Sequence, residues 1–343
     1  MFKRELEERV RAILNAIVGS YIRNTEPVGS RTLSKTLGLE LSPATIRNVM
    51  ADLTEQGYLD QPHTSAGRVP TDKAYRYYVD TVVSHSKLPH AVKVMIDDVL
   101  GEPVGSLEKT LAETSKLLAL LTSFTCVVAA PKVSTTRLKL VEFIRVSEQR
   151  IFVVLITQSN MVYNKIIEVG EDLSQEFLNS VSQYLNEQFS EQSLSDIRNR
   201  MLESLMEEKE QYDRLLAQVV RLSKKAFEFS ESRELYVEGQ FNILKTMDDM
   251  DSIRKLLETL DEKISILELL DQTLTEGGVN IFIGVENELE DLRQFSIVTA
   301  NYGNGANMLG SLGVIGPTRM DYNRVVPIID YTAKTLSESI ANQ

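Results

Sequence analysis

The sequence predicts an α+β protein built from more than one domain, on three observations. At 343 residues and 43 % apolar content, the chain exceeds the usual size of one domain and can bury several cores. Residues 1–88 carry closely spaced helical apolar stripes and then a short hairpin pattern. Beyond them, β-rich runs flanked by helical patterns are interrupted by a long charged helical stretch, the arrangement of an antiparallel sheet with helices and an insertion.

The elements follow in order. Over 5–22, Leu6, Val10, Ile13, Leu14, Ile17, Val18 and Tyr21 recur at spacings of three and four and form one apolar stripe of a helix. After Pro27-Val28-Gly29, Ser30 can cap a two-turn helix carrying Leu33 and Leu37, which Gly38 ends. Ser42-Pro43 then reads as an N-cap with proline at the first helical position, opening a third helix that runs to Gly57.

The third helix has a clear inner stripe of Ile46, Val49, Met50 and Leu53. At 100° per residue, Ala44, Asn48 and Ala51 therefore face directly outward, with Thr45 and Arg47 on the flanks. Small residues permit close approach to base edges, Asn can pair with adenine, and Arg can pair with guanine or phosphate. That is the surface of a helix-turn-helix reader. The same pattern also fits a three-helix bundle with a solvated outer face.

The next segment separates the two readings. Tyr58-Leu59-Asp60 and Arg68-Val69-Pro70 are short extended pieces around a small, polar tip at 61–67. A helix-turn-helix followed by such a hairpin is a winged helix, whose wing reaches the phosphate backbone or minor groove. The candidate DNA-contacting residues are Ser42, Ala44, Thr45, Arg47 and Asn48 on the helix, and His63, Thr64, Ser65 and Arg68 on the wing. His63 reads equally well as a surface histidine with no role.

Three runs here have a specific resemblance: 42–53 (SPATIRNVMADL), Gly57-Tyr58-Leu59, and 63–72 (HTSAGRVPTD). Together they closely resemble the bacterial heat-inducible transcription repressor HrcA family. The resemblance implies a dimer that binds a double-stranded inverted-repeat operator, CIRCE, upstream of chaperone operons. It also implies that the GroE chaperonin keeps the repressor active.

Past the wing, 71–84 reads as a helix with Tyr75, Tyr78, Val79 and Val82 on one face, and Leu88-Pro89-His90 as a linker. Helices are expected at 91–100 and 106–121, strands at 126–130, 138–146, 151–157 and 161–168, later strands at 279–284, 295–299 and 309–316, and a final helix over 321–340. The run 310–320 is similar to the closing strand and turn of GAF-type domains. The charged region 192–274 contains helical spacings at 194–222 and 250–274, the second with Met250, Ile253, Leu257, Leu260, Ile264 and Leu267 in a short heptad-like series that is below the length demanding a coiled coil and also fits a helix packed on its own sheet. The resemblance implies a GAF-like domain formed by 89–191 plus 248–343, with an inserted dimerising domain at 192–247.

Composition narrows the function. Residues 1–80 carry 11 Lys and Arg against 10 Asp and Glu, while the rest carries 26 against 39, so nucleic acid can be met only by the N-terminal segment. The longest nearly apolar stretch, 117–130, is about fourteen residues, short of the roughly 20 needed to span a bilayer. The charged first residues lack a signal-peptide pattern, and a single cysteine, Cys126, fits a reducing compartment, so a cytoplasmic protein is expected. No phosphate loop, nucleophile elbow or zinc helix is present, and 303–308 has Met308 where a dinucleotide fingerprint requires glycine. No catalytic residue, metal or cofactor is expected. Three functions remain: an operator-binding repressor, a winged-helix regulator with a small-molecule effector, and a module whose winged helix binds protein.

Overall fold

The computed structural model describes residues 6–36, 41–63, 66–82, 87–101, 106–131, 136–158, 161–197, 199–200, 221–223, 225–227, 233–247, 249–275, 277–304 and 307–341. The expected contributions of Leu37 and Gly38, and the wing-tip residues Thr64 and Ser65, lie outside them.

The N-terminal elements are α1 (Glu8–Asn24), α2 (Ser30–Thr36), α3 (Pro43–Glu55), the hairpin β1 (Leu59–Asp60) and β2 (Val69–Pro70), and α4 (Asp72–Val82). Ile13, Leu14, Ile17 and Val18 of α1 meet Leu33 of α2, and Ile46, Met50 and Leu53 of α3, in one core, as the apolar spacing requires. The hairpin pairs Leu59 with Pro70 and Asp60 with Val69. An isolated antiparallel bridge between Val28 and Arg68 extends it toward the α1–α2 connection. The order of three helices, a two-stranded hairpin and a fourth helix is the one expected of a winged helix.

Then come α5 (His90–Leu100), α6 (Leu107–Thr122) and β3 (Thr125–Ala129). After a long excursion, β7 (Leu235–Glu238), α8 (Met250–Glu262), α9 (Ile264–Gln272), β8 (Val279–Ile283), β9 (Phe295–Asn304), β10 (Asn307–Pro317) and α10 (Tyr322–Ala341) complete the body. Its sheet has the order β7-β3-β10-β9-β8, with every neighbouring pair antiparallel. Strand alternation sorts the two faces. Cys126, Val128, Val298, Tyr302, Leu312 and Val314 join the core of α5, α6 and α10, and that core continues into the winged helix. Val127, Ala129, Phe295, Ile297 and Ile315 pack instead beneath α8 and α9. Burial pushes the Cys126 thiol up to about 12, so at neutral pH it is a small apolar filler and not a nucleophile.

The excursion is β4 (Leu138–Ser147), β5 (Arg150–Thr157), β6 (Val162–Glu168), α7 (Gln175–Phe189) and further helical residues at 194–197 and 221–223. The sequence reading put 138–168 with 126–130 in one sheet. Instead β4-β5-β6 form a separate three-stranded meander. Leu138, Phe143 and Val153 of the meander share a core with Leu178, Leu185, Ile197, Leu222 and Phe227, distinct from both faces of the main sheet. Leu194, Ile197, Leu222 and Phe227, within the expected insertion at 192–247, thus share their core with the meander and α7. The chain leaves the main sheet at β3 and rejoins it at β7, its direct neighbour, with Ala129 opposite Leu235 and the Ala130 N–H donating to the Glu234 carbonyl at 2.9 Å.

The expected continuous helix over 250–274 is also broken. Lys263 adopts a left-handed conformation (φ 55°) between α8 and α9. The break turns Ile266, Leu269 and Leu270 into the core under the sheet and leaves Met250 and Ile264 exposed. The heptad-like spacing thus serves two short helices packed on their own sheet.

Candidate nucleic-acid interface

Helix α3 is positioned from its N-terminus upward. Ser42 is the N-cap: its Oγ accepts the Thr45 backbone N–H at 3.1 Å and lies 2.9 Å from Thr45 Oγ1. Pro43 occupies the first helical position, and Ile46, Met50 and Leu53 anchor the buried face. Ser42, Ala44, Arg47 and Asn48 are exposed, as projected, and Thr45 is half-buried at the edge. Five of the nine candidate residues thus share the N-terminal half of one helix. The two hydroxyls are engaged with each other, which makes Ser42 and Thr45 builders of the helix end as well as surface groups.

The wing is tied to this helix at its base. The Arg68 N–H donates to the Val28 carbonyl at 2.9 Å, and the Val28 N–H donates back to the Arg68 carbonyl at 2.8 Å. Arg68 Nε donates to Thr54 Oγ1 at 3.1 Å, and that hydroxyl donates to the Met50 carbonyl at 2.8 Å. The half-buried Arg68 side chain, expected as a wing contact to DNA, thus also holds the wing against α3 through its Nε. At the tip, His63 is exposed and its carbonyl accepts the Ala66 N–H at 2.9 Å, while Gln61 Nε2 reaches the Ala66 carbonyl at 3.4 Å.

Gly67 sits where the wing base passes closest to the α1–α2 connection. A Cβ there would lie 2.5 Å from the Val28 carbonyl oxygen and 2.7 Å from the Pro27 carbonyl carbon, both backbone atoms with little room to yield. Gly67→Ala is expected to cost about 1 to 3 kcal/mol of winged-helix stability, the range for overpacked sites. Thermal unfolding read by circular dichroism checks this, and an unchanged midpoint would contradict it.

Between α2, α3 and the wing lies a groove of about 460 Å³ lined by Val28, Gly29, Ser30, Arg31, Arg47, Met50, Gln61, Ala66, Gly67 and Arg68. Three arginines from three different elements border one concave surface, an arrangement suited to an anionic backbone. Arg31 and Gln61 were not among the candidate residues. Arg31 could have been found from its place in the first turn of α2, the helix that leads into the reader. Among the described residues no group of three or more His, Cys, Asp or Glu could hold a metal.

Comparison with known proteins places the molecule. The family description "HrcA protein C terminal domain" matches residues 108–326. The chain belongs to the HrcA family. Heat-inducible transcription repressor HrcA of Geobacter sulfurreducens is 43 % identical over 341 residues, covering 99 % of each chain. That of Syntrophobacter fumaroxidans is 38 % identical over 338 residues, covering 97 % of each. A crystal structure of a hypothetical protein superposes with a TM-score of 0.63 at 27 % identity, covering 98 % of this chain and 99 % of the other. The matched region 108–326 takes in the main sheet and the excursion, while the full-length HrcA relatives also span the winged helix. HrcA proteins are transcription repressors and not enzymes, in keeping with a site made of helix-face amides and guanidinium groups.

Proposed function

We propose that this HrcA-family chain acts in the cytoplasm as a homodimer whose two winged helices bind an inverted-repeat operator of the CIRCE type upstream of chaperone operons. The exposed N-terminal half of α3, carrying Ala44, Arg47 and Asn48 beside the arginine-bordered groove, supports this reading most strongly. Ser42, Thr45, His63, Thr64, Ser65 and Arg68 complete the DNA-contacting set, with Arg31 added. A DNase footprint on such a repeat is expected to protect both arms equally. Protection of one arm, or of none, would contradict it.

The domain plan proposed is a winged helix over 1–88, a GAF-like body around the five-stranded sheet, and a dimerising insertion comprising the excursion between β3 and β7. The meander supports a dimer through its outer face. Ile144, Val146, Val162 and Ile166 point away from α7 and are 44 to 55 % exposed, with Phe152, Val154 and Ile156 half-buried between them. Exposed Glu142 and Asn164 flank Val154 as a polar row across this apolar patch, and a second copy related by a two-fold axis would cover the patch with itself. Ile166→Ser would then remove about 1.5 kcal/mol of burial per copy. Sedimentation is expected to show a weaker dimer with an unchanged fold; an unchanged dissociation constant would count against this face. No described helix is long and apolar enough to cross a membrane.

Dependence on the GroE chaperonin fits a chain whose main sheet closes only after the whole excursion between β3 and β7 has been made, since such long-range pairing is slow and leaves apolar edges exposed during folding. Chaperonin and ATP are expected to raise the recovery of operator-competent dimer from denatured protein. Equal recovery with and without them across a range of temperatures would overturn the dependence.

A further inference from the structure

We infer that Asp72, Arg76 and Glu286 form a latch that fixes the angle of the winged helix on the body and thereby sets which operator half-site spacing the dimer accepts. The inference rests on the operator reading above.

Asp72 and Arg76 are one turn apart on α4, the last element of the winged helix. Arg76 binds Glu286 along one edge of its guanidinium, Nε reaching Oε1 at 2.8 Å and Nη2 reaching Oε2, and Nη2 also donates to the Ile281 carbonyl of β8 at 2.5 Å. Glu286 is held in turn by the Ile283 N–H at 2.8 Å. The Asp72 carboxylate accepts the Val285 N–H at 3.1 Å. Gly284 lies between them with φ 56°, and a Cβ there would overlap the Asp72 carboxylate, so the body's turn is shaped to receive α4.

Beside the latch, the ring of Tyr75 packs on that of Tyr322 at 6.3 Å between centroids, and Asn323 donates to the Tyr78 hydroxyl. The apolar contact holds the two domains together but has no preferred direction. The forked guanidinium–carboxylate pair does, because two parallel hydrogen bonds fix an orientation. The elements it joins matter: α4 carries the reader and wing, while β8 is an edge strand of the sheet that leads, through β3 and β7, to the excursion. In a two-fold dimer the angle at α4 sets the distance and rotation between the two α3 helices. One base pair of spacer changes these by about 3.4 Å and roughly 34°.

The test uses full-length protein and inverted repeats whose spacer is varied by one and two base pairs either way, with an isolated half-site and a scrambled duplex. Wild type is expected to lose affinity about tenfold at two base pairs from its optimum, equivalent to 1.4 kcal/mol. Arg76→Ala and Gly284→Ala are expected to flatten the profile to within about twofold while half-site binding and dimerisation stay unchanged, and the swap Arg76→Glu with Glu286→Arg to restore part of the discrimination. Profiles as steep as wild type in both single variants would overturn the latch. Wild type that prefers no repeat to the scrambled duplex would overturn the operator reading and the latch with it.

Discussion

Asn48→Ala is expected to weaken specific operator binding by about 2 to 6 kcal/mol, or roughly 30-fold to 20,000-fold, because a base pairing worth about 1 to 3 kcal/mol disappears at each of two half-sites. The side chain projects from the exposed face of α3 six residues beyond the Ser42 cap, where a reader helix meets base edges. Non-specific affinity is expected to change little. Arg47→Ala should fall equally far on specific DNA if the guanidinium reads guanine. If it holds phosphate from the groove, specific and non-specific binding fall together, and the salt slope drops by about 0.9 for each phosphate no longer neutralised. Competition titrations against scrambled duplex separate these outcomes. A specificity ratio unchanged in both variants would mean that α3 does not read the sequence.

The second large effect is structural. Ile46 is fully buried at the centre of the winged-helix core, between the stripe of α1 and Leu33 of α2. Ile46→Ala removes three heavy atoms from a site walled by rigid helices, and a cost of about 2 to 5 kcal/mol follows from the reduced burial and the cavity left behind. Against a typical stability of about 5 to 15 kcal/mol, that is enough to open the domain a measurable fraction of the time. Hydrogen exchange is expected to lose protection first in α1 to α4, with β9 and β10 less affected, and operator binding to fall without any change at the DNA-facing surface. Uniform loss of protection through the main sheet would instead mean that the winged helix and body unfold as one unit, through the core that joins them.

What the sequence made legible was local. The Ser42-Pro43 cap, the stripe through Ile46, Met50 and Leu53, and the outward set of Ala44, Asn48 and Ala51 depend on neighbours within one helix, and the structure has them as projected. The hairpin was legible because Leu59-Asp60 and Val69-Pro70 flank a tip free of apolar anchors. The misreadings concern partners far apart in the chain. The turn residues at 147–150 mark a hairpin between Leu138–Ser147 and Arg150–Thr157, but nothing local says that this meander stands apart from the sheet of Thr125–Ala129. The spacing of three and four runs unbroken through Lys263, so its left-handed turn leaves no trace in the apolar pattern. The bond from Arg68 to Thr54 spans 14 positions, and nothing in the wing's own residues marks it. Arg76 and Glu286 are 210 positions apart, and neither residue alone marks an interface.

If an acidic protein meets DNA through one small, locally cationic reading surface, salt-titrated binding is where this shows. An inverted-repeat operator and a scrambled duplex of equal length are titrated with the full-length protein at several salt concentrations. Both affinities are expected to fall with salt along similar slopes, set by a few phosphate contacts per half-site from residues such as Arg31 and Arg47, while the operator stays about 10³-fold or more tighter throughout. Equal affinity for the two duplexes at every salt concentration would contradict it.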